Sequence, residues 1–360
     1  MNKMSSKPNS KNRIKIKIIS SLISVLLLFF ISPDAISQSN STLKSFGEDI
    51  TAKKFFDSTI DNNNVVWFLT ESGIISFDGT TWSLHNKNSE ITGKEFKDFV
   101  FDSSGNKNEM IIAGPDGAIV AATPLDINSK STVFTPDNSK ITSKNVLGVS
   151  VSKNALQWYG TDKGIFAFNG SNWLENNYDD RYPGDIFEYF PFSTMTASKS
   201  GDSLYVGTIG GGVMRYYKND VDAVSGASEF AIWGPIQMPS DNVFSVYIAP
   251  DGSQWIGTDE GVAKHVGHNA LEGWTIIDKK TGLADNKVQA ISSDSKGNLY
   301  FGTANGLSVY DGENLTNYTT ENGMVNNNIL TIAIDNNDVV WLGTENGVSC
   351  LKNGEFINYQ

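Results

Sequence analysis

The chain alternates short apolar runs with clusters of Asn, Asp, Gly and Ser, and no stretch keeps a helical period of useful length. Seven of the apolar runs share one form, W-x-G-T or a near variant. They are "VWFLT" (66–70), "MIIAG" (110–114), "QWYGT" (157–161), "LYVGT" (204–208), "QWIGT" (254–258), "LYFGT" (299–303) and "VWLGT" (340–344). Their last residues are spaced 44, 47, 47, 50, 45 and 41 positions apart. A Gly-containing turn follows each, then a second apolar run such as "GIISFDG" or "GLSVYDG", then an aromatic run such as "TTWSLH", "SNWLEN" or "EFINYQ". A fourth apolar run comes before each, as in "FFDSTI", "VLGVSVS" and "ILTIAID". Short apolar runs bounded by turn formers read as strands. Four strands per unit, seven times over, predict an all-β chain: a single seven-bladed β-propeller of four-stranded antiparallel blades.

A blade is a small sheet with two apolar faces, and ring stacking is what covers both. Trp67, Trp158, Trp255 and Trp341 fall at one place in the second strand, while Trp82, Trp173, Trp233 and Trp274 fall in or near the fourth. All eight read as packing between blades rather than as a ligand platform. A further repeat precedes each first strand: an apolar residue, four others, then the apolar start of the strand, as in "ITAKKF" (50–55) and "LADNKV" (283–288). In five units the first of these lies 20 positions before the end of the W-x-G-T run; the second unit stretches this to 23 and the fourth to 26. The spacing predicts a hydrophobic peg under the ring's rim.

The two ends of the chain also match. "TLKSF" (42–46) places Leu43 and Phe46 with the spacing of Leu315 and Tyr318, and of Phe356 and Tyr359. Two segments thus carry the signature of one outer strand. The expectation is that 355–360 pairs within blade seven and that 42–46 adds outside it, tying the ring shut.

"GLADNKVQAISSDSKGNLYFGTANGLSVYDG" (282–312) resembles the two-component regulator propeller repeat, G-L-P-x-N, strand, D-x-x-G-x-x-W-x-G-T-x-x-G-L, then Y-D-G. The resemblance extends over 42–360. It is strongest in units one, five, six and seven and thinnest in unit two, where Ile111 stands for Trp and Gly114 for Thr. The resemblance implies a periplasmic sensor region of the hybrid two-component kind, some of which detect oligosaccharides. Here the propeller is expected to stand alone.

The first 37 residues read as a signal peptide. Lys3, Lys7, Lys11, Arg13, Lys15 and Lys17 form a basic region, Ile18 to Ser32 an apolar one, and "AIS" (35–37) a cleavage site after Ser37. The propeller is then 38–360, periplasmic or secreted, with no membrane span after cleavage. Removing the leader's six basic residues and Asp34 takes the formal charge from −12 to −17. Such a surface repels phosphate backbones, so nucleic acid is not an expected partner. A lone cysteine, Cys350, rules out an internal disulfide framework. It aligns with Ser76, Ala167 and Val309, small residues of the third strand, and reads as a buried, inert thiol.

Chemistry-bearing constellations are sparse. Of His85, His265 and His268, the last two form "HVGH", whose spacing in a strand sends the side chains to opposite faces. There is no H-E-x-x-H and no G-x-S-x-G. "GTIGGGVMR" (207–215) precedes a strand where a phosphate cradle would precede a helix, and reads as a widened turn. "DNNN" (61–64) and "DNND" (335–338) could offer oxygens to calcium, yet their repeated context reads as turn chemistry. No cofactor, metal or catalytic residue is expected.

Two features remain. Turns between the second and third strands carry Glu71, Asp116, Asp162, Asp259, Glu260 and Glu345, an acidic rim: a solvated edge, or a seat for a cation or basic partner. The connection "ENNYDDRYPGDIFEYFPF" (175–192) breaks the 20-position rule most and gathers Tyr178, Asp180, Arg181, Tyr182, Glu188 and Tyr189. Aromatic rings beside carboxylates and an arginine suit a sugar-like ligand; the plainer reading is a loop capping the ring through Phe187, Phe190 and Phe192. The function expected is that of a non-catalytic, monomeric ligand- or protein-binding propeller, with an oligosaccharide or an envelope protein as partner. Alternatives are a cell-envelope assembly factor, or a propeller lyase or hydrolase.

Overall fold

The computed structural model describes residues 41–360 except 48–49, 51, 53, 86–95, 103, 105–108, 123–130, 153, 175–185, 200, 202, 218–228, 235 and 268–271. The leader read over 1–37 lies outside these. Seven sheets follow one another along the chain, each a meander whose strands, named a to d from the inside outward, pair with their sequence neighbours, and one further strand from the N-terminal end joins the last sheet. The a strands are Phe55–Ile60, Asp98–Asp102, Val146–Val151, Phe192–Ala197, Val243–Ile248, Val288–Ser293 and Ile329–Ile334. The W-x-G-T runs are the b strands, buried along their whole length in blades one, three, four, five, six and seven. One helical turn, Ile186–Tyr189, and two 3-10 turns complete the described elements.

Each letter of the repeat has a physical task. Asp61 opens the a–b turn of blade one: its Oδ1 accepts from the backbone N of Asn63 and Val65, both at 2.9 Å, and its Oδ2 from Trp67 Nε1 at 3.2 Å. Asp335 does the same in blade seven for Asn337, Val339 and Trp341. Asp294 in blade six serves Lys296, Asn298 and the Tyr300 hydroxyl. The turn aspartate therefore fixes both the turn and the ring six residues on, which is why the "DNNN" and "DNND" oxygens read as turn chemistry. The Thr that ends strand b donates to the carbonyl of the Gly opening strand c, at 2.7 Å in Thr70–Gly73, Thr303–Gly306 and Thr344–Gly347. That Gly is irreplaceable. At Gly347 φ is +111°, and a Cβ would stand 2.3 Å from the Tyr359 carbonyl oxygen.

The other Gly of W-x-G-T works across the blade boundary. A Cβ on Gly343 would stand 2.9 Å from Phe55 Cβ of blade one, and one on Gly302 would stand 2.6 Å from Ile329 Cγ2 of blade seven. The missing side chain is the space into which the next blade's first a-strand residue packs. Seven buried clusters result, one at each junction between blades, including the one between seven and one. Leu69, Ala113 and Gly take that place in different units, so unit two's departures alter packing locally without breaking the ring.

The pegs are buried as expected where they are described: Ile50, Ile141, Met238, Leu283 and Met324. In blades six and seven they are held by a polar clamp. Ser349 Oγ donates to Asn358 Oδ1 and accepts from Val325 N, and Asn358 Nδ2 donates to the Gly323 carbonyl. Ser308, Asn317 and Gly282 repeat the arrangement.

Two blades depart from the expected four antiparallel strands. In blade three the outer strand read over "SNWLEN" is reduced to a bridge between Phe168 and Trp173 and a hydrogen bond from Leu174 N to the Ala167 carbonyl. The residues that would continue it lie outside those described. Blade seven has a fifth strand: Thr42–Lys44 runs parallel to Glu355–Tyr359, with Thr42 opposite Ile357 and Lys44 opposite Tyr359. Phe46 N donates to the Gln360 carbonyl and Gln360 N to that of Lys44. Phe46 is buried against Trp82 (ring centroids 4.8 Å apart, edge-on), Tyr359 and Phe55, so the N-terminal strap spans the seam.

Candidate functional site

The a strands surround a central channel, and a cavity of about 340 Å³ is lined by residues from all seven of them. In six blades the register shifts between the first and third residues of strand a, leaving the second as a bulge. The bulge residues are Phe56, Leu147, Ser193, Phe244, Gln289 and Leu330, and Lys97 holds the matching place in blade two. Together they form a collar lining the channel. Strand a begins at the end of the ring that carries the b–c turns and d–a connections, so the collar opens on that face. Phe56 is 41 % exposed; Lys54 Nζ lies 5.5 Å from its ring centroid, and Lys287 Nζ lies 4.8 Å from that of Phe244.

One residue deeper, the inner strands are laced to each other. Asp57 Oδ2 accepts from Phe99 N at 3.2 Å and Asp98 Oδ2 from Val149 N at 2.9 Å. Ser150 Oγ accepts from Ala197 N, Thr196 Oγ1 donates to the Val246 carbonyl, and Tyr247 shares a hydrogen bond with Ser293. Gln289 donates to the Ile329 carbonyl, and Ser58 meets Thr331 at the seam. Every junction thus has a polar tie beside its apolar cluster.

Asp57 and Asp98 are also hydrogen-bonded to each other. Desolvation by the channel wall, with the neighbouring Asp98 charge adding to it, raises the Asp57 carboxyl well above its ordinary value, and desolvation raises Asp98 as well. Two carboxyls at such close range disfavour double ionisation, which is the direction both shifts take. Its outward oxygens are taken by the backbone N–H groups of Ser58, Phe99 and Val149, which makes holding the inner ring its task. Sequence reading missed the pair because its members stand 41 positions apart in different units. Aligning the units at the apolar residue that opens each inner strand, Phe55 and Phe96, would have placed both two positions further on.

The acidic residues read from the sequence all fall in b–c turns, on the face where the collar opens. Several tie those turns to the d–a connections. Glu71 Oε2 accepts from Lys54 N at 2.8 Å, Asp259 Oδ2 from Asn242 Nδ2 at 2.8 Å, and Glu260 Oε2 from Asn286 Nδ2 at 3.3 Å. Asp116 and Glu345 are exposed and Asp162 partly so. Among the described residues no cluster of three His, Cys, Asp or Glu side chains is placed to hold a metal ion. In the anomalous connection, Tyr178, Asp180, Arg181 and Tyr182 lie outside the described residues, as does the side chain of Glu188. Tyr189 ends the helical turn at 77 % exposure, Phe187 is buried and packs near Phe192, and Phe190 is partly exposed.

The histidines have structural company. His85 Nε2 meets Ser76 Oγ at 2.9 Å, and burial lowers its pKa. His265 is fully buried against Trp233 and Trp274 and bonds Gln254 through Nδ1. His268 lies outside the described residues. Cys350 is buried, and burial with the nearby Asp335 charge pushes its thiol up to about 12. No described helix is long and apolar enough to cross a membrane.

No match is found among curated proteins. Among solved structures, the extracellular domain assigned to a hybrid two component system of B. thetaiotaomicron aligns with a TM-score of 0.65 at 20 % identity, over 84 % of this chain. The chain spans only 40 % of that domain's length. PorZ, a surface component of the type-IX secretion system of Porphyromonas gingivalis, aligns with a TM-score of 0.62 at 15 % identity, over 82 % of this chain and 46 % of that one. A virginiamycin B lyase from Staphylococcus aureus aligns with a TM-score of 0.61 at 12 % identity, over 84 % and 95 %. Identities this low establish the shared fold alone. The family whose description is two component regulator propeller matches residues 282–305 and 323–346, so blades six and seven carry the two component regulator propeller repeat.

Proposed function

We propose that this propeller is an exported, non-catalytic recognition module of the sensor kind, binding an oligosaccharide on the face that carries the collar and the b–c turns. The observation that carries the reading is the collar. Phe56 and Phe244 offer ring faces, Leu147 and Leu330 aliphatic ones, and Lys97 and Gln289 offer polar groups between them. Sugars are held by that mixture, with C–H faces on rings and hydroxyls on flanking donors. Arg181 and Tyr182 lie outside the described residues and enter the proposal from the sequence alone.

A glycan array with the full mature chain tests the proposal. Replacing Phe56 and Phe244 together by Ala should lower affinity for the best glycan at least tenfold, about 1.4 kcal/mol or more. Replacing Arg181 and Tyr182 by Ala should weaken it further. An array without saturable hits, or a hit indifferent to both pairs, refutes it. A second reading, a cell-envelope assembly factor, is favoured by the acidic b–c turns, which suit a basic protein partner. It predicts that pull-down from envelope extract recovers a partner whose binding weakens with added salt.

A further inference from the structure

The collar is not alike all the way round. Leu147 of blade three and Ser193 of blade four carry no charge, whereas blades six, one and two each set a lysine at the mouth. Lys287 and Lys54 come just before the first residue of strand a, and Lys97 holds the bulge place itself. Lys54 and Lys97 are exposed and Lys287 is half-buried, so a solute in the mouth can meet them. Lys54 Nζ stands 5.5 Å from the Phe56 ring centroid, and Lys287 Nζ crosses the junction between blades five and six to stand 4.8 Å from that of Phe244. Both rings line the channel, which fixes the two charges beside it. Blades six, seven, one and two are consecutive in the ring, so the lysines share one arc.

Carboxylates do not cancel that arc at the level of the collar. The two in the channel wall, Asp57 and Asp98, lie one residue deeper, bond each other and accept from the backbone N of Ser58, Phe99 and Val149. Desolvation works against their ionised forms. Asp285 has one oxygen on Lys287 N at 3.1 Å and the other 3.6 Å from Lys279 Nζ. Among the described residues no ion pair engages Lys54 or Lys287. Glu71, Asp116, Glu260 and Glu345 belong to b–c turns, which lie outward of the collar by at least one strand spacing, about 4.8 Å. A chain of formal charge −12 thus keeps a cationic arc where its inner strands meet solvent, and the walls of a cleft focus such a field.

We propose that the glycan held by the collar is anionic, a reading that rests on glycan binding at this face and narrows it. Carboxylate or sulfate groups on the sugar rings meet the lysine arc, while the C–H faces lie on Phe56 and Phe244. Ammonium–anion contacts are charge-assisted and weaken as salt screens them, whereas ring–sugar contacts do not depend on charge. The two parts of the site therefore separate: the rings serve any glycan, the lysines only a charged one.

The full mature chain is titrated by calorimetry with an oligogalacturonate and its methyl ester, and with a carrageenan oligosaccharide and its desulfated counterpart. At least one of the two anions should saturate about tenfold or more tighter than its neutral partner at low salt. That margin should shrink in about 1 M salt, where the Debye length is about 3 Å. Which anion binds separates a carboxylate from a sulfate. Lys54→Gln combined with Lys287→Gln keeps most of each stem over its ring. It should lower the anion's affinity about tenfold or more, with the melting temperature retained. Phe56→Ala combined with Phe244→Ala should instead weaken charged and neutral glycans alike. A neutral glycan bound as tightly as its charged partner overturns the proposal and leaves glycan binding at the collar standing. So does a double-lysine variant that holds the anion as tightly as the parent. Failure of both anions to saturate overturns it too, and the glycan array then decides separately whether a neutral sugar binds.

Discussion

Replacing Phe46 by Ala tests whether the strap closes the ring. Phe46 is 4 % exposed and belongs to the cluster that joins blades seven and one, with Trp82, Tyr359 and Phe55 around its ring. Removing a buried Phe side chain costs about 3–5 kcal/mol. The lower end applies, because the strap is held by few hydrogen bonds and can settle into the gap. Unfolding entropy near 60 °C is about 2.1 cal/mol/K per residue, so some 320 residues give about 0.7 kcal/mol/K. A loss of about 3 kcal/mol then lowers the melting temperature by about 4–5 °C. Leu43 is the control. It lies on the same strap but is 65 % exposed, and Leu43→Ala should cost under about 0.5 kcal/mol.

The assay is calorimetry, followed by amide hydrogen exchange. Opening at the seam should raise exchange in Phe55–Ile60 and Ile329–Ile334, the two a strands that flank it, before the other blades respond. Deleting residues 41–47 should cost at least as much as Phe46→Ala, because the parallel pairing with Glu355–Tyr359 goes as well. A melting temperature within about 1 °C of the parent refutes the reasoning, and so does Leu43→Ala matching Phe46→Ala. Either result means that Glu355–Tyr359 shuts the ring without help.

The Asp57–Asp98 pair predicts a pH dependence of definite sign. Both folded-state pKa values lie above the ordinary 3.8, so the folded chain holds an extra proton, and stability falls as pH rises from 3.8 through the raised values. Asp98→Asn should flatten that slope in denaturant titrations across pH; a slope that stays unchanged means the pair does not share its proton. Gly347→Ala combines a +111° φ with a contact at the Tyr359 carbonyl, and should cost about 3 kcal/mol or more by denaturant unfolding, where a loss under about 1 kcal/mol contradicts the packing described. Cys350, pushed up to about 12 and buried, should react with a thiol reagent at pH 8 only at the rate of unfolding; rapid labelling of the folded chain would show the thiol to be accessible.

The parts of the fold that could be read from the chain are those in which one residue does one job in every blade. The Asp that opens the a–b turn, the Trp it holds, the Gly that admits the next blade and the Thr that pins the b–c turn recur because the ring repeats one junction, and repetition is what a single sequence exposes. The strap was legible for the same reason, since Leu43 and Phe46 copy the spacing of Phe356 and Tyr359. Features built from two unlike units were not. The Asp57–Asp98 pair needs a carboxyl in each of two neighbouring a strands, with Gly148 following in the third, and no unit taken by itself announces it. The collar was hidden differently. "FFDSTI" looks like plain alternation, and only the bulge after the first residue turns Phe56 toward the channel rather than toward a neighbouring blade. A one-residue change of register reverses which side chains are core and which are free. The candidate residues for recognition therefore sit where the repeat is kept in sequence but broken in register. A ring whose apolar faces are all consumed by stacking has only that inner edge, its turns and its one seam left with which to meet a ligand.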